Sequence, residues 1–61
     1  MCLSTVYASD DPEQVIMEYV SKIMIKGDEI TLTDVMGEQK TVSGTLVMAD
    51  LTGAVVKIDL K

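Results

Sequence analysis

A chain of 61 residues makes one small domain, here residues 1–61 undivided, and 48% apolar with 25% charged residues is the composition of a folded protein, not a disordered one. Ten acids against five scattered lysines, with no arginine and a net charge of −5, argue against nucleic-acid binding, as do two tyrosines as the only aromatics. The absence of histidine removes most catalytic triads, most proton shuttles and nearly all zinc enzymes.

Leu3 to Ser9 alternates, with Leu3, Thr5 and Tyr7 on one face and Ser4, Val6 and Ala8 on the other, which predicts a first strand. Ser9-Asp10-Asp11-Pro12 reads as a turn. Pro12 to Lys26 has two readings. Asp11 caps a helix whose stripe is Val15, Ile16, Tyr19, Val20, Ile23 and Met24, closed by Gly27; or two strands flank a break at Glu18–Ser21. Gly27-Asp28 lies between two alternating runs and predicts a tight hairpin, which requires Ile23 and Ile25 to be extended. The favoured reading is therefore strand, with one short helical turn near residues 17–21.

A second turn is expected around Gly37, and then a strand interrupted by a bulge or bend at Gly44, of the kind that closes small barrels. A last hairpin passes through Thr52-Gly53 into a strand that buries Val56, Ile58 and Leu60. The sum is an all-β fold: a small antiparallel barrel or sandwich of five to six short strands. No apolar run reaches the roughly 20 residues that cross a bilayer, and no signal peptide is visible, so a cytoplasmic chain without a membrane is expected.

Little here can do catalysis, and the expectation is that the protein is not an enzyme. Ser4, Ser9, Ser21 and Ser43 have no evident base, and the pairs Asp10-Asp11 and Asp28-Glu29 sit in polar turns where solvated acids are the rule. Met17, Met24, Met36 and Met48 are scattered through apolar patterns and read as core fillers, not soft-metal ligands.

Cys2 stands apart. A domain this short leans on a disulfide, a metal or a second subunit, and one cysteine cannot form a disulfide within the chain. If Met1 is removed, Cys2 offers an amine and a thiolate that chelate one ion, and the Leu3 amide adds another nitrogen. Planar nitrogen and sulfur donors suit Ni(II) or Cu(II) better than zinc. A two-fold axis near the first strand would pair Cys2 with its copy and hold one ion per dimer. The same thiol also has a plainer reading as an inert side chain.

"MC" at the start, "GDEITLTDVMGEQKTVSG" in the middle and "ADLTGAVVKIDL" at the end resemble the CooT family of small nickel-binding proteins, along nearly the whole chain. The resemblance implies a β-rich homodimer in which Cys2 binds Ni(II) between subunits. It also implies a role in delivering nickel to a client enzyme, carbon monoxide dehydrogenase. Some members of the family are labelled RNA-binding proteins, which leaves a β-barrel RNA-binding or protein-interaction module as the alternative. The net charge of −5 speaks against RNA.

Overall fold

The computed structural model describes residues 3–61, with Pro12 described by its backbone alone. Five strands follow in order: β1 (Ser4–Ala8), β2 (Asp11–Lys26), β3 (Glu29–Asp34), β4 (Gln39–Asp50) and β5 (Val55–Leu60). They form a closed barrel in which each strand neighbours the next and β5 returns to β1. Four pairs are antiparallel, and the closing pair β1–β5 is parallel. The parallel pair follows from counting: an odd number of strands that alternate in direction must close on two that point the same way.

The alternation seen in the sequence becomes the core. Val6 and Ala8 of β1, Val20 of β2, Ile30 and Leu32 of β3, and Val56 and Ile58 of β5 are buried. Ile16, Met17, Ile23, Val42, Leu46 and Leu60 pack around six of these. Small β-branched side chains dominate this interior, as the pleat of a tightly curved sheet requires. Ser4 is the one buried polar residue among those described, and no buried side-chain N or O atom lacks a partner.

The short helical turn expected near residues 17–21 is not there. β2 runs through as one strand of 16 residues, because each half finds a ladder of its own. Residues up to Val20 pair with β1, and those from Val20 onward pair with β3. The backbone donors a helix would have satisfied locally are thus taken by two different sheets. The helical stripe dissolves as well: Val20 is buried while Val15, Tyr19 and Met24 are exposed. What remains of the expected break is a β-bulge: Tyr19 has φ of 58°, and the register with β3 slips between Val20 and Lys22.

β4 changes neighbours midway. Gln39 to Ser43 pair with β3, whereas Gly44 to Asp50 pair with β5. Gly44 is the crossing point: a Cβ placed there would meet the backbone oxygen of Asp59 at 2.4 Å. Its N–H donates to the Asp28 carbonyl (2.8 Å), which locks the β2–β3 hairpin against the corner. The bulge itself lies three residues on, where the register slips between Leu46 and Met48.

The turns are built as their residues dictate. Gly27, at φ of 59°, opens the two-residue turn between Lys26 and Glu29. In the β3–β4 connection the Asp34 carboxylate accepts the N–H groups of Met36 and Glu38, each at 2.9 Å. Asp50 does the same for Thr52 (3.1 Å) and Gly53 (3.0 Å) before β5. No helix among the described residues is long and apolar enough to cross a membrane.

Candidate functional site at the open mouth of the barrel

Two long strands, each shared between two partners, leave the barrel with two mouths. Among the described residues, β2 pairs only with β3 from Lys22 to Lys26, and β4 pairs only with β5 from Thr45 to Asp50. These two free edges converge where the Gly44 N–H meets Asp28 and diverge toward the start of β1. Between them a cleft of about 230 Å³ opens, lined by Ser4, Val20, Ser21, Lys22, Ile23, Ala49, Leu51 and Val56. The second mouth lies between the first half of β2 and the first half of β4, which also pair on one side only. Here Lys40 reaches across from β4, its Nζ donating to the Ile16 carbonyl at 3.4 Å.

The open cleft is mostly apolar. Leu51 is 73% exposed, and Ile25, on the same strand face as Ile23, is 55% exposed. Lys22 brings the one charged side chain of the lining. Ser21 lies across the strand pair, with Oγ near the carbonyls of Thr33 (3.3 Å) and Asp34 (3.4 Å). The two non-glycine residues with a left-handed backbone among those described, Tyr19 and Ala54, flank this mouth: Tyr19 precedes Val20, and the Ala54 carbonyl accepts the Thr5 N–H next to Ser4.

Cys2, the metal ligand expected from the sequence, lies outside the described residues. Among the described residues no group of three or more cysteines and carboxylates is placed to hold an ion. The carboxylates of Asp28 and Asp11 have structural uses: Asp28 pairs with Lys61, and Asp11 caps the Glu13 N–H (3.1 Å). Of the methionines expected in the core, Met17 packs against it, but Met24 (53%) and Met36 (84%) are exposed. Their apolar surroundings in the sequence were turns and outward strand positions, which periodicity alone did not reveal.

Sequence reading singled out Cys2 and passed over Lys22, Ile25 and Leu51. Nothing in the alternation of residues 21–26 tells which described strands pair with that stretch, because pairing depends on strands distant in the chain.

A family model described as "CO dehydrogenase accessory protein CooT" matches residues 1–60. No curated protein matches the chain.

Proposed function

The chain belongs to the CooT family of CO dehydrogenase accessory proteins, and from that premise we propose that it is a homodimeric nickel carrier. Ni(II) is its cargo, held between the Cys2 thiolates of two subunits, one ion per dimer, for delivery to a carbon monoxide dehydrogenase. The observation that carries this reading is the family match, which spans residues 1–60 and so takes in Met1 and Cys2. The chemistry of the donors supports it. With Met1 removed, the Cys2 thiolate and amine give two donors per chain, and two thiolates with two nitrogens complete a planar four-coordinate set for a d⁸ ion only when two chains meet. Ser4, which lines the open cleft, stands two residues after Cys2 in the chain. An accessory role also accords with a chain that lacks histidine.

Nickel titration of the whole chain, followed by native mass spectrometry, tests this. Wild type is expected to take up about half an equivalent per chain and Cys2→Ser none. Uptake should weaken as pH falls, because thiol and amine must lose protons to bind. Equal uptake by both chains ends the reading.

A further inference from the structure

We propose that the Ser4 hydroxyl donates a hydrogen bond to a nickel-bound Cys2 thiolate, which makes Ser4 a positioning residue of the metal site; the inference rests on the nickel reading above. Ser4, Val6 and Ala8 are the inward positions of β1, and the latter two are apolar and fully buried. A hydroxyl in that row costs stability unless it is hydrogen-bonded. Ser4 is only 9% exposed, yet among the described residues its Oγ makes no hydrogen bond. No enclosed side-chain oxygen is left unpartnered, so the hydroxyl faces the cleft that Ser4 lines.

The cleft itself offers this hydroxyl nothing. Val20, its cross-strand partner, and Ile23, Leu51 and Val56 are carbon walls. Lys22 brings donors but no acceptor. Ser21, the other hydroxyl of the lining, differs, because its Oγ lies 3.3 Å and 3.4 Å from the carbonyls of Thr33 and Asp34. One nearly buried donor is therefore left uncommitted beside the start of the chain.

Connectivity says what can meet it. Two residues of backbone span about 7 Å at most, so Cys2 and its ion stay in the neighbourhood of Ser4 whatever course the terminus takes. Thr5, the next hydroxyl along, belongs to the opposite face of β1. A thiolate is an anionic acceptor, and hydrogen bonds to ionised acceptors are the stronger kind. Groups outside the ligand set that bond a ligand fix its orientation and tune the metal it holds. One such bond in each subunit draws charge from both sulfurs of the shared ion.

The test follows the sulfur-to-nickel charge-transfer absorption of the whole chain titrated with Ni(II), in wild type, Ser4→Ala and Ser4→Thr. Loss of the donor raises the filled sulfur orbitals. Ser4→Ala should therefore move the band to longer wavelength and weaken binding about tenfold against a competing chelator. Ser4→Thr keeps the hydroxyl and should stay at the wild-type wavelength. Without nickel, Ser4→Ala should melt no lower than wild type, because the hydroxyl it removes has no partner in the fold. A band unmoved by Ser4→Ala overturns the proposal: with affinity unchanged the hydroxyl meets water only, and with affinity reduced Ser4 acts through the fold alone. A lower melting temperature of nickel-free Ser4→Ala also overturns it, since the hydroxyl then has a partner within the domain. With the band present in wild type and absent from Cys2→Ser, each of these outcomes leaves the nickel reading standing. No band in wild type ends both.

Discussion

The two mouths of the barrel are made from the same pair of strands, yet their free edges are treated in opposite ways. At one, Lys40 crosses to the Ile16 carbonyl, and Glu13 and Glu18 stand along the strand; charge at an edge deters pairing with another chain. At the other, the edge runs from Lys22 to Lys26 and borders Ile23, Ile25 and Leu51, with the left-handed residues Tyr19 and Ala54 beside it. Left-handed geometry in a bulky residue is costly and persists where the surrounding fold imposes it, often at sites of function. An apolar rim with uncovered backbone is a liability in a free monomer. The contrast is in the lining: a lysine reaches a carbonyl across one mouth, and an apolar cleft with Lys22 at its side forms the other.

The largest effect should come at the corner that divides the mouths. Gly44→Ala forces a Cβ onto the Asp59 carbonyl, and urea unfolding should show a loss of about 3 kcal/mol, much of what so small a domain possesses. A loss below about 1 kcal/mol would show that β4 has slack there, and that the two mouths are not separately shaped. Next comes the strain at the open mouth. Ala54→Gly frees a residue held at φ of 57° and should raise stability by about 1 kcal/mol, or roughly 4–8 °C in Tm. A lower Tm would mean that the backbone beside this mouth is not strained. The smallest effect belongs to the guarded mouth. Lys40→Met should change stability by less than about 0.5 kcal/mol, because the contact is long and exposed, while light scattering on heating should rise as the edge loses its charge. Unchanged scattering would remove the distinction between guarded and open edges.

Much of this was legible along the chain. The alternation in Leu3–Ser9 marked β1, Gly27-Asp28 marked the central hairpin, and the run after Gly53 named Val56 and Ile58 as core. The residues around Tyr19 were flagged as irregular, but the irregularity was taken for a helical turn and is a bulge. Val15, Tyr19 and Ile23 are spaced by four, which satisfies the helical period and the strand period of two alike, so spacing could not separate the two readings. The terminal thiol was equally plain in the sequence. The cleft beside Ser4 was not, since its walls come from β1, β2, β5 and the end of β4.

Side-chain alternation, turn-forming aspartates and glycines, and the inventory of side chains are properties of neighbouring residues, so the order of the amino acids sufficed for an all-β domain, its hairpins and its single thiol. The course of β2 through Tyr19, the change of partner at Gly44, the parallel closure of β1 on β5 and the unequal mouths came from the folded barrel. A strand's hydrogen bonds are made with other strands, and which edges are left over is decided only when every strand has found its place.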